Sequence, residues 1–164
     1  MKIPIISDTH DDVFNTKRVL DGLKAKGFSE VIHLGDYSAP FMIEYFKGFK
    51  VHTVLGNNDG DKYRIVSKMI ENSFNFKDYL LELEIEGKKV ALYHGTEEGI
   101  LNALIFCKKY DIVLHCHTHK IRNEVVDGVL VLNPGTVNKN ISKDNASSYM
   151  ILDFKTLEVE VFKN

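Results

Sequence analysis

The chain has 164 residues, of which 44% are hydrophobic and 27% charged, with a formal net charge of -2. This fits one globular domain over residues 1–164, with no basic block for an extended nucleic-acid surface and no apolar run of membrane-spanning length. Because its two cysteines, Cys107 and Cys116, make neither a disulfide framework nor a C-x-x-C motif, and no signal peptide is evident, we expect a cytoplasmic protein.

The first half of the chain alternates short apolar runs with helical patterns. Strands are predicted at 3–7, 30–34 and 50–55, and helices at 13–26, 40–47 and 61–71. Gly27 is placed to end the first helix and Pro40 to begin the second. Strands that alternate with helices in this way predict a parallel arrangement with the helices outside.

The second half reads mainly as hairpins. Residues 79–85 and 89–93 form one hairpin pattern, and residues 123–126 and 129–132 form another around Asp127-Gly128. A helix is predicted at 98–109, a buried strand at 111–114, a loop at 133–135, and closing strands at 149–154 and 157–162. Together the two halves predict mixed sheets with helices outside, in an α/β or α+β sandwich.

Possible metal ligands follow five of the predicted strands. They are Asp8, His10, Asp36, Asn57, His94, His117 and His119. Loops after the carboxyl ends of strands converge in open α/β sheets, so we expect these side chains to meet. Two carboxylates, four imidazoles and one amide suit divalent transition metals, and seven ligands are too many for one tetrahedral ion but suit a pair of ions.

Each of these residues also has an ordinary structural interpretation. Asp8 could cap a helix, although Asp12 competes for that role, and Asp36 or Asn57 could simply occupy turns. Chance does not readily supply ligand chemistry after five successive strands, so the set as a whole favours a metal site. His33, His52 and His115 are expected to be structural residues instead.

The segment from His115 to His119 places two imidazoles two residues apart, at His117 and His119. In an extended segment, residues at this spacing point to the same side. Imidazole is a common transition-metal ligand, so the pair is a candidate metal clamp.

The motifs, read in order, resemble the calcineurin-like metallophosphoesterase superfamily, and more closely its small prokaryotic phosphodiesterases of the YfcE type. The resemblance extends from residue 8 to about 136. Its motifs are Asp8-Thr9-His10, Gly35-Asp36, Gly56-Asn57-Asn58-Asp59, His94, Cys116-His117-Thr118-His119 and Asn133-Pro134-Gly135.

The resemblance implies a four-layer αββα sandwich, with two mixed β-sheets packed face to face and helices outside. It implies two divalent metal ions, with Mn or Ni expected first and Fe, Co or Zn compatible. One metal would be held by Asp8, His10, Asp36 and His119. The other would be held by Asp36, Asn57, His94 and His117. Asp36 would bridge the ions.

The activity implied by the resemblance is hydrolysis of a small phosphodiester substrate by a bridging water or hydroxide that the two metals activate. Asp36, Asn57 and His94 are then catalytic as well as ligating residues. The sequence leaves the physiological substrate open, and it allows a homo-oligomer.

Two positions depart from the superfamily pattern. Asn58 occupies the position of a histidine that can protonate the leaving oxygen in more active relatives, and an amide cannot do this. Asp59, which usually orients that histidine, is then expected to be a supporting or turn residue. Cys116 occupies a usual glycine position, where it would be strained if the backbone needed a conformation that only glycine adopts easily.

These departures keep two other functions open. The missing acid allows a protein-interaction scaffold on the same fold, comparable to the retromer subunit of this superfamily, although the intact ligand set argues against it. A phosphomonoesterase of the same superfamily is the other alternative.

Overall fold

The computed structural model describes residues 1–164 and contains eleven strands, three α-helices and two short 3₁₀ helices. The strands are β1 (Lys2–Ile6), β2 (Glu30–His33), β3 (Lys50–Val54), β4 (Asn75–Lys77), β5 (Leu80–Ile85), β6 (Lys88–Tyr93), β7 (Ile112–Leu114), β8 (Ile121–Val126), β9 (Val129–Pro134), β10 (Ser148–Asp153) and β11 (Val159–Lys163). The α-helices are α1 (Val13–Ala25), α2 (Lys62–Glu71) and α3 (Glu98–Phe106), and the 3₁₀ helices are Pro40–Phe46 and Lys139–Ile141.

The strands form two mixed sheets. The first has six strands in the order β11-β10-β1-β2-β3-β4, with β1 to β4 parallel and β10 antiparallel to β1. The second has five strands in the order β5-β6-β7-β9-β8, with β6, β7 and β9 parallel and an antiparallel strand at each edge.

Successive side chains of a strand point to opposite faces of its sheet and so enter two different apolar clusters. In β1, Ile3 and Ile5 enter the apolar cluster between the two sheets, whereas Ile6 joins the cluster that contacts α1 and α2. A third cluster, which includes Leu101 and Ile105, packs α3 on the second sheet. The predicted four-layer sandwich of two face-to-face mixed sheets with helices outside is therefore confirmed.

Local sequence explains where the first two α-helices begin. The Asp12 side chain accepts a hydrogen bond from the backbone N–H of Asn15 at 2.9 Å and so caps α1, which leaves Asp8 free of that role. The Asp61 side chain caps α2 in the same way, through the N–H of Arg64.

The short helix predicted at 40–47 is present as a 3₁₀ helix that begins at Pro40 and ends at Phe46. Three other local predictions were wrong. Helix α3 ends at Phe106 because Lys108 adopts a left-handed conformation that lets Tyr110 pack against the sheet. The edge strand β4 was missed because it offers only one apolar residue, Phe76. Strand β9 continues through Asn133 and Pro134, which were assigned to a loop, because both pair with the edge strand β8.

Candidate metal centre

The site forms where the carboxyl ends of parallel strands from both sheets meet. Asp8 and His10 follow β1, Asp36 follows β2, and Asn57 follows β3 in the first sheet. His94 follows β6, and His117 and His119 follow β7 in the second sheet. All seven predicted residues lie in one group of connected side chains.

Four of the residues form a tight cluster. The ligand atoms of Asp8, His10, Asp36 and His119 all lie within 4.8 Å of one another. His119 Nε2 is 3.1 Å from Asp8 Oδ1, and His10 Nε2 is 3.5 Å from Asp8 Oδ1 and 3.3 Å from Asp36 Oδ2. This is the group that the resemblance assigns to the first metal.

The His10 ring tests whether this cluster fits a cation. Its Nδ1 is 3.2 Å from Ser38 Oγ, so Nε2 is the ring nitrogen that faces the carboxylates. Its Nε2 is buried and has no hydrogen-bond partner, although it lies between the carboxylates of Asp8 and Asp36. The two carboxylates attract a proton or a metal cation to this nitrogen, and imidazole and carboxylate are common ligands of divalent transition metals, so these residues fit a metal ion.

Three further residues extend the cluster from Asp36. His94 Nε2 is 3.3 Å from Asp36 Oδ2 and 3.0 Å from Asn57 Oδ1, and the His117 ring centroid is 5.3 Å from that of His94. His94 Nδ1 donates a hydrogen bond to the carbonyl of Leu34 at 2.8 Å. Nε2 is therefore the ring nitrogen that lies beside Asp36 and Asn57, where the neutral ring offers it as a metal ligand.

Cys116 lies behind His94 and is not placed among the ligands. Its thiol is fully buried, lies 2.9 Å from His94 Nδ1 and donates to the Leu34 carbonyl at 3.0 Å. The Cys116 sulfur is also within 4.8 Å of ligand atoms of Asp8 and His94. Burial raises the pKa of the thiol well above its ordinary value, which keeps it protonated, and a metal binds the thiolate. Cys116 also avoids the left-handed region, so the expected strain is absent.

The electrostatics of the cluster favour charge separation. Burial opposes ionisation of Asp8 and Asp36, but the neighbouring histidine rings outweigh it and hold the pKa of both carboxyl groups well below the ordinary value. Burial likewise opposes a charge on His10, but the carboxylates of Asp36 and Asp8 raise its pKa to about 9. The two carboxylates therefore stay ionised and available to a cation throughout the neutral range.

The backbone at this site is unusual. Five of the seven residues have positive φ values in or near the left-handed region, between 39° and 69°. They are Asp8, His10, Asp36, His117 and His119. His117 and His119 thus lie in a loop beyond β7, and loop curvature rather than strand alternation places their rings. Such conformations cost about 1–3 kcal/mol each and cluster at functional sites.

Asp59 has a larger structural role than its turn-like sequence suggested. It is buried, and its carboxylate accepts hydrogen bonds from the backbone N–H groups of Asp36, Tyr37, Ser38 and Gly56 at 2.7–3.2 Å. It therefore joins the loop after β2 to the loop after β3. The partner groups are all backbone N–H groups, so no sequence motif could have identified them.

The chain matches a known protein family over nearly its whole length. The sequence profile of the calcineurin-like phosphoesterase superfamily domain matches residues 1–157. The chain belongs to the calcineurin-like phosphoesterase superfamily. A relative in that group, phosphodiesterase MJ0936 of Methanocaldococcus jannaschii, is 35% identical over 138 residues, which cover 82% of this chain and 83% of that protein.

Solved structures of phosphoesterases share the fold of this chain. A structure of a novel archaeal phosphodiesterase covers 100% of both chains with a TM-score of 0.90 and 30% identity. The phosphoesterase Yfce of E. coli covers 99% of this chain and 98% of its own, with a TM-score of 0.72 and 21% identity. The predicted resemblance is thus confirmed at the level of family and fold.

Two clefts of different chemistry flank the candidate metal centre. The first, here called the apolar cleft, has a volume of about 420 Å³ and adjoins Asn57 and His94. Its apolar walls are Leu55, Tyr79, Leu80, Tyr93, Ile100 and Leu104. The second, here called the polar cleft, has a volume of about 730 Å³ and adjoins His117. Its charged lining residues are Glu98, Lys120, Arg122 and Glu124.

The remaining histidines lie outside the cluster, as expected. His33 is fully buried and stacks on Tyr37, with ring centroids 3.8 Å apart, and His52 is nearly buried and pairs with Glu30. His115 is buried behind the polar cleft, 3.5 Å from Arg122. No helix of the protein combines the length and apolar character needed to cross a membrane.

Proposed function

We propose that this chain is a phosphodiesterase that works with two divalent transition metal ions, Mn or Ni first among them. The observation that carries the proposal is the convergence of Asp8, His10, Asp36 and His119, whose ligand atoms all lie within 4.8 Å of one another. The 35% identity to a protein named as a phosphodiesterase supports the substrate class.

The residues would hold the ions in two groups that share Asp36. Asp8, His10 and His119 complete one group, and Asn57, His94 and His117 complete the other. When bound, the ions would lower the pKa of an attacking water molecule and offset the negative charge on the phosphoryl oxygens.

The chain itself supplies the positioning. The Asp36 carboxylate is oriented by the backbone N–H and the side-chain amide of Asn58, both at 2.8 Å. The Leu34 carbonyl fixes the ring of His94 so that Nε2 faces the site. These contacts hold the ligands in place before substrate arrives, which reduces the reorganisation that catalysis would otherwise need.

Asn58, next to Asn57, favours hydrolysis of diesters with good leaving groups. The Asn58 amide cannot donate a proton to a leaving oxygen at any working pH. General acid catalysis is typically worth about 10²–10⁴ in rate, so its absence weighs most heavily on esters with poor leaving groups. An activated aryl diester is therefore the most suitable first substrate.

The test is hydrolysis of bis(p-nitrophenyl) phosphate by protein stripped of metal and then loaded with Mn or Ni. We expect activity that depends on the metal and that falls by at least about 10²-fold in Asp36→Ala and in His94→Ala, because each removes a ligand. Asp21→Ala on the exposed face of α1 and His52→Ala in β3, neither of which belongs to the ligand cluster, serve as matched controls.

Undiminished activity in the Asp36 and His94 variants, or no activity with any transition metal, would contradict the proposed phosphodiesterase function. Tight retention of metal without turnover of any phosphoester would favour the interaction scaffold. A preference for monoesters over diesters would favour the phosphomonoesterase.

A further inference from the structure

The two clefts beside the candidate metal centre differ in chemistry. The apolar cleft has six hydrophobic residues among its thirteen lining residues, whereas the polar cleft has two among twelve. Thr96 lines both clefts and so marks the ridge between them. A substrate group on the Asn57 side therefore meets a different surface from a group on the His117 side.

The walls of the apolar cleft suit a planar ring. Tyr79 is 71% exposed and Ile100 is 50% exposed, so apolar surface is open to a ligand at the mouth. Tyr93 is held deeper in the wall, where its hydroxyl accepts a hydrogen bond from the N–H of Glu97 at 2.9 Å. Exposed aromatic rings beside a functional site bind other rings by stacking.

A lysine side chain lies at the same entrance to the apolar cleft. Lys62 lines the apolar cleft, and its Nζ is 5.9 Å from the centre of the Tyr79 ring. An ammonium group there can approach the face of a bound ring or an anionic group attached to it. The volume of about 420 Å³ lies within the usual range for small-molecule sites.

We propose that the apolar cleft binds an aromatic ring of the substrate, either an aryl group or a nucleobase, stacked on Tyr79. The inference rests on the proposed phosphodiesterase function, since the ring is attached to the phosphoryl group that reaches Asn57 and His94. The other ester group of the diester then points toward the polar cleft, whose Lys120 and Arg122 favour a polar or anionic group.

The test compares ligands that share an anionic head and differ in the ring. Phenylphosphonate against methylphosphonate tests an aryl group, and adenosine 5′-monophosphate against ribose 5-phosphate tests a nucleobase. Binding is measured by calorimetry on the Mn-loaded full chain, so the result does not depend on turnover. We expect at least one ring-bearing ligand to bind about tenfold more tightly than its partner, from the usual strength of ring stacking.

Substitutions at exposed tyrosines decide whether the apolar cleft is responsible. Tyr79→Ala is expected to abolish the tenfold difference, and Tyr79→Phe to retain it. Tyr63→Ala is the matched control, because Tyr63 is 83% exposed on α2 and lines neither cleft.

Equal binding of both members in each pair, a difference that survives Tyr79→Ala, or no binding of any ligand would overturn the inference. If any of these three results is found but diesters are hydrolysed, the ring-binding inference fails and the proposed phosphodiesterase function stands. If no diester is hydrolysed but the ring preference depends on Tyr79, the cleft binds rings and the proposed function fails separately.

Discussion

Asn58 holds the carboxylate of Asp36 with two hydrogen bonds, one from its backbone N–H to Oδ1 and one from its side-chain amide to Oδ2, each 2.8 Å long. The residue that replaces a possible general acid thus orients the carboxylate that is proposed to bridge two metals. Its side chain is exposed to solvent beside the site, so it can be changed without disturbing the core.

Asn58→His is expected to add a proton donor beside the leaving group. We predict that kcat/KM for a phosphoester with a poor alkyl leaving group rises by about 10²-fold, whereas bis(p-nitrophenyl) phosphate changes by only about threefold. Asn58→Ala removes the side-chain hydrogen bond to Asp36 without adding an acid, and so separates the two effects. Equal changes for both substrates would contradict the prediction.

Gly56→Ala is expected to displace Asp36. A Cβ atom at position 56 would overlap Asp36 Oδ1 and lie 2.6 Å from the Asp36 backbone nitrogen, so the two loops would have to separate. We predict loss of bound metal by elemental analysis and a free energy of unfolding lower by about 1–3 kcal/mol.

The control for that substitution is Gly22→Ala on α1, where an added Cβ has open space. Alanine is favoured over glycine in a helix, so this variant should be more stable by about 0.5–1 kcal/mol and should bind metal normally. A Gly56→Ala protein with its full metal content would show that the loop contact is not required.

His33 is expected to make the metal-free protein sensitive to acid. Burial lowers its pKa to about 3 in the folded state, against an ordinary value near 6.5 in the unfolded chain. Between these values the unfolded chain binds a proton that the folded protein does not, so this contribution is complete above pH 6.5 and falls as the pH drops toward 3. The loss at pH 5 is about 2 kcal/mol.

Urea unfolding of the metal-free protein at pH 7 and at pH 5 measures this effect. His33→Phe retains a ring against Tyr37 but cannot titrate, so the variant should lose about 2 kcal/mol less than the parent between the two pH values. His115, whose pKa burial lowers to about 4, should show the same behaviour in His115→Phe. An unchanged pH dependence in both variants would refute the assignment.

The two thiols should react very differently. Cys107 is exposed and Cys116 is fully buried, so a disulfide reagent such as dithionitrobenzoate should titrate one thiol in the folded protein and two in denaturant. Because Cys116 is not placed among the ligands, removal of metal without unfolding should leave the count at one. Cys107→Ser provides the blank, and rapid reaction of a second thiol would contradict the buried position.

Much of the fold follows from local patterns. Alternation between residues 79 and 93 and the Asp127-Gly128 turn predicted both hairpins, because turn geometry and side-chain alternation act over a few residues. The weak edge strand β4 and the end of α3 did not follow, since pairing with β3 and the burial of Tyr110 decide them.

The sequence by itself determined the family and the set of seven candidate ligands, because ligand chemistry after successive strand ends is a local and ordered signal. The two-sheet architecture followed from the resemblance to that family. Only the tertiary structure decided how that set is arranged. Left-handed backbone at residues such as Asp36 and His117, the four N–H bonds of Asp59 and the different walls of the two clefts depend on contacts between distant segments. No local pattern encodes such contacts, because they exist only when the two sheets pack together.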